Sequence, residues 1–491
     1  MLPDPFCRDA YLAALQAMFA HNHVDKKLRK FALAVLSVDL SVIDEMLHPT
    51  YSVFGPKPYP PSGLLISCLL MIFLRVTSFT VWAAQLKTHP VYARICGFDP
   101  GKTPEVGTFY NFITRLWAGD KANLRDHVRP KKDRPPKPSG KNEKADPPTN
   151  ETVEADIKKW RGNVSKDSEP YRRFLRLFLL FLEGSAERGL ISKEHLGVSG
   201  DGTPFVTSHR ERSHRVCDCH EKGIERCDCY RYYSQPDCFI GWDSSRNCYY
   251  SGYNLYLFTA SDAHSDLPVF PLLLPASRHD GRAFVEAFVK FQTFCPDFRT
   301  EKMQLDSAHD AMPIYQWMLE SGVTAFIDLH SAKSKYDWND MEVTKDGRPI
   351  CPEGKPMHSD GMEKSRMRRK FRCPCLKREK GSSKKSVCGC AHPCTDSPYG
   401  PVKHIPLAEN PRIFCSPARG SKAWEKEYKK RTSSERDNKR IKEDYKLEDG
   451  RHRSSKMWYF RLYLILMAIH MDAWDTAGLL DASLLPEDVA A

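Results

Sequence analysis

Four residues in the stretch KEYKKRTSSERDNKRIKEDY (426–445) have types and a spacing that suit a metal site beside a phosphate backbone. They are Tyr428, Arg431, Glu435 and Lys442, at offsets of 0, 3, 7 and 14. An α-helix advances about 100° per residue, so the spacing predicts that all four share one face. Cations beside a metal-binding carboxylate would contact the phosphates. A solvated helix with surface ion pairs is the alternative, and the spacing alone leaves both open.

Two aspartates are further candidate ligands. Asp201 lies in LGVSGDGTPF and Asp306 in KMQLDSAHD, each at or near the end of a predicted strand. Carboxylates at the ends of neighbouring strands can converge above the sheet edge, where they bind Mg²⁺ and leave positions for phosphate and water. Taken singly, each aspartate also fits a turn residue or a helix cap. Glu435 as a third acid favours the metal site.

The sequence contains 17 cysteines, and they are strongly clustered. In a reducing compartment this composition favours metal ligands over disulfides. Two ligand pairs separated by a loop fit a structural zinc site, which would hold together small polar inserts that lack a core of their own. Reduced thiols in loops are the alternative for both clusters. The first cluster is Cys217, Cys219, His220, Cys227 and Cys229; the second is Cys373, Cys375, Cys388, Cys390, His392 and Cys394.

The elements that must position these residues follow from the apolar periodicity. From residue 196 the pattern indicates three strands, a helix, a strand, a helix and a strand, with the two aspartates at strand ends. This is the element order of the ribonuclease-H-like fold. The predicted fold class is therefore an α/β ribonuclease-H-like core, a mixed sheet flanked by helices, with an all-α N-terminal domain and a Cys-rich insertion.

Composition divides the chain into segments. The N-terminal helices suit DNA binding and equally suit any small helical domain. Among them, GKTPEVGTFYNFITRLW predicts a helix with Thr103 as N-cap and Pro104 as its first residue. The predicted segments are a helical N-terminal DNA-binding domain (1–120), a Pro/Lys-rich linker (121–168), the first part of the catalytic core (169–344, with a Cys-rich insert at about 205–248), a basic Cys-rich insertion (345–418), C-terminal catalytic helices (419–476) and a tail (477–491).

Charge and hydropathy restrict the partners and the location. A formal net charge of +12 over 491 residues favours an acidic polymer, most simply nucleic acid, although solubility is the simpler alternative. The apolar runs 64–74 and 457–471 are too short to span a bilayer, and we expect buried helices there. The start MLPDPFCRDAYLAALQ lacks the basic and apolar parts of a secretory signal, so we expect a cytoplasmic, nucleoid-associated protein.

The motifs together resemble a known family. The spacing Y-(2)-R-(3)-E-(6)-K, matched at all four positions from Tyr428 to Lys442, resembles the signature around the third acid of bacterial insertion-sequence transposases of the DDE superfamily. DGT at 201–203 and DSAH at 306–309 resemble the first two acid regions, and residues 59–116 look like the N-terminal domain common in these transposases. His309 stands where an aromatic residue is usual, which leaves its role open.

The resemblance implies a ribonuclease-H-like catalytic domain in which Asp201, Asp306 and Glu435 bind two Mg²⁺ or Mn²⁺ ions. It implies cleavage at transposon ends by activated water, followed by attack of the freed 3′-hydroxyl on target DNA. Expected partners are double-stranded DNA, as transposon ends and target, and a second copy of the chain in a synaptic dimer, with no membrane. The residues expected to contact DNA are Tyr428, Arg431 and Lys442.

Two other functions remain open. The chain could be a nonenzymatic, zinc-stapled DNA-binding protein of the same ancestry, although such a protein gains nothing from keeping three metal ligands. It could also be a related nuclease that cuts DNA without joining it, which only a joining assay separates from a transposase.

Overall fold

The computed structural model describes most of the chain, and its helices lie mainly in the N-terminal and C-terminal parts. The described residues are 2–3, 6–119, 127–132, 148–207, 213–243, 245–330, 337–338, 341–344, 346–377, 387–397, 399–450 and 452–486. The α-helices are α1 (Arg8–His21), α2 (Lys26–Leu36), α3 (Ser41–Leu47), α4 (Pro61–Phe73), α5 (Phe79–Thr88), α6 (Pro90–Ile95), α7 (Val106–Leu116), α8 (Asn150–Trp160), α9 (Arg172–Glu187), α10 (Asp280–Phe294), α11 (Met312–Glu320), α12 (Lys422–Tyr428), α13 (Thr432–Lys439) and α14 (Ser455–Thr476).

The strands fall in the middle of the chain, between α7 and α12. They are β1 (Val128–Arg129), β2 (Leu196–Val206), β3 (Ser213–Arg215), β4 (Arg231–Tyr233), β5 (Phe239–Asp243), β6 (Cys248–Ala260), β7 (Leu267–Pro275), β8 (Thr300–Leu305), β9 (Thr324–Ile327), β10 (Asp337–Trp338), β11 (Met341–Glu342), β12 (His358–Glu363), β13 (Arg368–Arg372), β14 (Leu376–Lys377), β15 (Val387–Cys388) and β16 (Val402–Pro406).

The two apolar runs noted in the sequence form buried helices. Twelve of the 13 residues of α4 are buried, because a helix that is apolar all round must be enclosed by protein. The long helix α14 packs against α9, α4 and α2, so one continuous hydrophobic core joins the N-terminal helices to the elements that follow. Among the described residues, no helix is both long and apolar enough to cross a membrane.

Two local predictions about the N-terminal half are wrong. Helix α7 begins at Val106 with Glu105 as N-cap, and Thr103 and Pro104 lie in extended chain before it, as the backbone preference of a residue preceding proline favours. The predicted linker 121–168 is described only at 127–132 and from 148 on, residues 121–126 and 133–147 lying outside the described residues, and its last part contains helix α8. The Thr149 side chain caps α8, and the helix packs on α10, so the helical period there outweighs the polar composition.

The central sheet supplies the frame for the predicted acids. Its strands run in the order β7-β6-β2-β8-β9, and β5 continues along the edge of β6 beside β7. Strand β6 is antiparallel to both of its neighbours, β2 and β7, whereas β8 and β9 run parallel to β2. Helices α10 and α11 connect β7 to β8 and β8 to β9.

The insertion 345–418 has a core of its own, contrary to the expectation of a polar insert without one. Strands β12, β13 and β16 form a three-stranded antiparallel sheet. A separate cluster of buried side chains lies with this sheet, so packing contributes to holding the insertion together. The cluster consists of Val343, Cys351, Met357, Phe371, Ile405, Leu407, Ile413 and Phe414.

Candidate active site

The register of the sheet brings Asp201 and Asp306 to the same position. The sequence predicts that β2 ends at or near Asp201. Instead the strand continues to Val206, where it is still paired with β6. Its parallel pairing with β8 ends at Ser199 opposite Gln304. Asp201 and Asp306 each lie two residues beyond this last pair, so the same register sets them side by side. Side chains alternate with period two, so both point to the face of the sheet on which Ser199 and Gln304 lie.

The two aspartates ionise very differently. Burial, and after it the charges of Asp280 and Asp306, raise the pKa of Asp201 to about 7. Burial would also raise the pKa of Asp306, but the hydrogen bond and charge of His309 and the amide of Ala308 outweigh it and lower the pKa to about 2. Neighbouring carboxylates whose pKa values are pushed apart are typical of catalytic sites.

His309 is the residue that fixes Asp306. Its side chain is 0% exposed. Nδ1 lies 2.7 Å from Asp306 Oδ1, and Nε2 lies 2.8 Å from the Tyr256 hydroxyl. Burial alone would lower the pKa of His309, but Asp306 outweighs burial and raises it. A protonated imidazole donates from both nitrogens, so His309 orients the carboxylate of Asp306.

The helical stretch that carries the four spaced residues is unbroken from 422 to 444, but it changes type along its length. Tyr428 ends α12, a 3₁₀ turn covers Lys429–Arg431, and α13 begins at Thr432. A π-helical turn over Arg440–Asp444 follows, and it contains Lys442. These changes of helix type alter the rotation per residue only slightly, so a shared face for the four residues stays a prediction.

Arg431 links the third acid to the other two. Its guanidinium Nη2 lies 2.7 Å from Glu435 Oε1, and the Glu435 side chain is 50% exposed. The charge of Arg431 also opposes the pKa rise of Asp201 and contributes to the lowered pKa of Asp306. One cation therefore interacts with all three predicted acids.

Helix α13 lies on the sheet over β2 and β6, and its contacts set where Glu435 stands. Ser434 Oγ is 2.5 Å from Ser199 Oγ, and Asn438 Nδ2 donates to Asp201 Oδ2 at 3.2 Å. Glu435 is three residues before Asn438 and so lies on the same side of the helix. The helix thus brings Glu435 to the end of the sheet where Asp201 lies.

Tyr428 and Lys442 flank this arrangement in different ways. Tyr428 stacks on Trp424 with ring centroids 4.8 Å apart, and burial followed by the charge of Asp328 raises its pKa. The Lys442 ammonium donates to the carbonyl of Pro204 and lies 3.7 Å from Glu448. The Lys442 side chain is only 17% exposed, so it anchors the π-helical turn to the end of β2.

A fourth acid, Asp280, was missed by the sequence predictions. Its carboxylate accepts a 2.7 Å hydrogen bond from Asn254 and is buried beside Asp201, so that burial raises its pKa. A Cβ at Gly202 would collide with this carboxylate. The glycine therefore allows Asp280 to approach β2 closely. Asp280 is the first residue of α10, a position where the helix dipole alone favours an acid. The sequence therefore does not distinguish it from an ordinary helix-start residue.

The first cysteine cluster is gathered into one group. The sulfurs of Cys217, Cys219, Cys227 and Cys229 all lie within 4.8 Å of one another. Cys217 Sγ is 3.7 Å from Cys227 Sγ, and Cys219 Sγ is 3.6 Å from Cys229 Sγ. His220, the other member named from the sequence, is outside the group and exposed.

The second cluster is described only in part. Cys390 Sγ and Cys375 Sγ lie 3.3 Å apart, and the Cys375 amide donates to Cys373 Sγ at 3.4 Å. The side chain of Cys388 lies outside the described residues. Within the described part of the chain, the second cluster does not form a compact group of metal-ligating atoms like that of the first.

Comparison with known proteins supports a transposase. Residues 15–115 match a family described as "Transposase domain (DUF772)". The match covers the second half of α1, helices α2–α6 and all but the last residue of α7, and it does not reach the carboxylates at 201, 306 and 435. No curated protein matches the chain. The likeness to a transposase therefore concerns the N-terminal helices and not the candidate active site.

Proposed function

We propose that the chain is a DNA transposase of the DDE class, which cuts DNA at transposon ends and joins the freed 3′-hydroxyl to target DNA. The observation that carries the proposal is Arg431, which pairs with Glu435 and whose charge acts to lower the pKa of both Asp201 and Asp306. In the described residues the three carboxylates do not yet form a compact group of ligand atoms, so a bound metal would have to draw them together. These acids come from three separate parts of the chain. The transposase domain at 15–115 supports DNA as the partner.

The strand arrangement supports a ribonuclease-H-like core as the frame of this site. In chain order the main strands are β2, β6, β7, β8 and β9, so the spatial order is third, second, first, fourth, fifth. The first three form an antiparallel meander, and the last two run parallel to the first through helical crossovers. The strands, followed by α10, β8, α11 and β9, have the element order that the sequence predicts for this fold.

The residues at the site fit a divalent cation. Carboxylates are the preferred ligands of Mg²⁺ and Mn²⁺. The pKa of Asp201 is raised because it is buried beside other acids, and a bound cation would offset that unfavourable environment. Asp201, Asp306 and Glu435 would hold the metal, which would supply Lewis-acid stabilisation of the phosphate charge.

The surrounding side chains have supporting tasks. Asn438 orients Asp201, and His309 orients Asp306. Arg431 is the cation best placed to contact the scissile strand, because it already neutralises the acids and is not locked into the sheet. Tyr428 lines the same end of the site, whereas the contacts of Lys442 favour anchoring of the helix over phosphate binding.

The reaction consists of two phosphoryl transfers. In the first, water attacks the phosphodiester at the transposon end and the bond to the 3′-oxygen breaks, which leaves a 3′-hydroxyl and a 5′-phosphate. In the second, this 3′-hydroxyl attacks a phosphodiester of the target and displaces the 3′-oxygen of the target strand. We propose a dimer for this step, because two ends must be held together.

The test is an assay of Mg²⁺-dependent cleavage and joining with a plasmid that carries the genomic flanks of the gene. Glu435→Gln should lose both activities by more than about 100-fold, since loss of a ligand should exceed the 10–100-fold effect of residues that only orient ligands. Glu443→Gln is the matched control, an exposed acid paired with Lys439 on the same helical stretch. Equal activity of wild type and Glu435→Gln would overturn the site.

The same assay separates the alternatives. Cleaved ends without joined product would identify a nuclease that cuts only. Binding to the flanks without cleavage, unchanged by Glu435→Gln, would identify a nonenzymatic DNA-binding protein.

A further inference from the structure

In the loop between β3 and β4, residues 216–230, the only side chains turned inward are those of four cysteines. Every residue in this loop is exposed except the four cysteines, each of which is partly buried. Its apolar side chains, Val216, Ile224 and Tyr230, lie 53%, 47% and 57% exposed and pack into no core. Hydrophobic burial therefore does not hold this loop in its compact form.

The C-x-C spacing explains how the four sulfurs meet. In extended chain, side chains alternate, so the two cysteines of a C-x-C pair point to one side and the residue between them points away. Asp218 and Asp228, the intervening residues, have side chains 59% and 96% exposed. The turn is closed by the amide of Ile224, which donates to the carbonyl of Cys219 at 2.8 Å. The two pairs therefore face each other across the loop.

The distances between the sulfurs match those around zinc and not those of a disulfide. A disulfide requires a sulfur–sulfur distance of about 2.05 Å. Four sulfurs at about 2.3 Å from a tetrahedral Zn²⁺ stand about 3.8 Å from one another. The measured separations of 3.7 Å and 3.6 Å across the loop are close to this edge length.

Two arginines flank the cysteine loop, and one of them contacts a sulfur. Arg231 Nη2 lies 3.4 Å from Cys227 Sγ and 3.2 Å from the carbonyl of the same residue. Arg215, on the opposite strand, donates to the carbonyl of Glu225. Hydrogen bonds of this kind orient metal ligands and offset the net negative charge of a zinc bound by four thiolates.

We propose that Cys217, Cys219, Cys227 and Cys229 form a structural Zn²⁺ site that folds the β3–β4 loop. Four protein ligands close the coordination sphere, so the metal has no open position for catalysis. Because the loop has no other interior, metal binding and ordering of the loop are one event. The site does not depend on the carboxylates or on the proposed transposition.

The test measures zinc in the purified full-length protein. The double variant Cys219→Ser/Cys229→Ser should contain one zinc per chain less than wild type. Cys248→Ser, an exposed cysteine outside the group, is the matched control and should keep the wild-type content. The difference between variants is compared, so zinc bound elsewhere in the chain does not affect the result. Equal zinc in the double variant and wild type overturns the proposal.

A second measurement on the wild type does not depend on how the variant folds. Removal of zinc with a chelator should unfold the loop and so allow trypsin to cleave after Lys222 and Arg226, and added Zn²⁺ should restore resistance to cleavage. Reconstitution with Co²⁺ should give the thiolate-to-cobalt charge-transfer absorption, and Cys219→Ser/Cys229→Ser should lose intensity there. Cleavage at the same rate with and without chelator also contradicts the site.

Discussion

The carboxylate site and the cysteine loop are built in opposite ways. The acids at 201, 306 and 435, which we propose as one site, are far apart in the sequence and are carried by a sheet and a helix that pack on the main hydrophobic core. The four cysteines fall within 13 residues and are brought together by their own loop, which contributes no side chain to a core. Tertiary packing creates the first site, whereas local spacing creates the second.

The difference determines what each site contributes to the fold. Burial, and after it the charges of Asp280 and Asp306, disfavours the charged form of Asp201, so without metal an ionised Asp201 costs stability. The cysteines would gain their order from the metal, so without metal the loop loses structure and the core does not. We expect metal removal to act globally at one site and locally at the other.

The largest expected effect is on stability as a function of pH. The pKa of Asp201 is about 7 in the folded protein against an ordinary value of 3.8. Between these values the folded state keeps a proton that the unfolded state has released, so the free energy of unfolding falls as pH rises from about 4 to 7. In buffer freed of divalent cations, Asp201→Asn should therefore be more stable than wild type at pH 8, by up to about 4 kcal/mol, and equal to it near pH 4.

Asp437→Asn is the matched control for this measurement. Asp437 is fully buried and burial raises its pKa to about 7 too, but it bonds to Thr259 rather than to the acids of the site. Both substitutions should reduce the pH dependence in thermal unfolding. Only Asp201→Asn should also abolish the stabilisation of wild type by Mg²⁺, and a Mg²⁺ response that survives in Asp201→Asn would contradict the site.

A smaller effect is expected from the residue that orients Asp306. His309→Ala should lower Mg²⁺-dependent cleavage by about 10–100-fold, as is usual when a group that positions a metal ligand is removed. His309→Gln, which keeps a donor, should recover part of the activity and show a weaker dependence on pH below 7. The zinc content should not change in either variant, because His309 is buried in the proposed catalytic core and is not part of the cysteine group. Cleavage at the wild-type rate in His309→Ala would show that Asp306 needs no orientation.

The smallest expected effect separates two cations of the same helical stretch. Arg431→Ala should reduce the slope of log affinity for random-sequence duplex DNA against log salt by about 1, the loss of one phosphate contact. Lys442→Ala should leave the slope unchanged and lower the free energy of unfolding by about 1 kcal/mol, because its hydrogen bond to Pro204 lies within the protein. Equal slopes for Arg431→Ala and wild type, or a reduced slope in Lys442→Ala, would reverse these assignments.

Short-range patterns predict the parts of this protein that depend on short-range physics. The strands that carry the two aspartates, the buried helix α14 and the cysteine pairs all follow from periodicity or spacing within a few residues. The 3₁₀ and π turns on either side of α13 are not predicted, because spacing alone does not distinguish them from a regular α-helix. Asp280 and the role of His309 depend on packing between distant elements, so no local pattern distinguishes them from a helix cap or a core histidine.

The central claim is that the acids at 201, 306 and 435 surround the same metal, and Fe²⁺-directed backbone cleavage tests it most directly. With added hydrogen peroxide and ascorbate, Fe²⁺ bound in place of Mg²⁺ reduces the peroxide to hydroxide and hydroxyl radical, and the radical cuts the chain next to the ion. We predict cuts close to Asp201, Asp306 and Glu435, all suppressed by excess Mg²⁺, with any cut near 217–229 unaffected by Mg²⁺. Absence of a cut near Glu435, or cuts that Mg²⁺ does not suppress, would contradict the site.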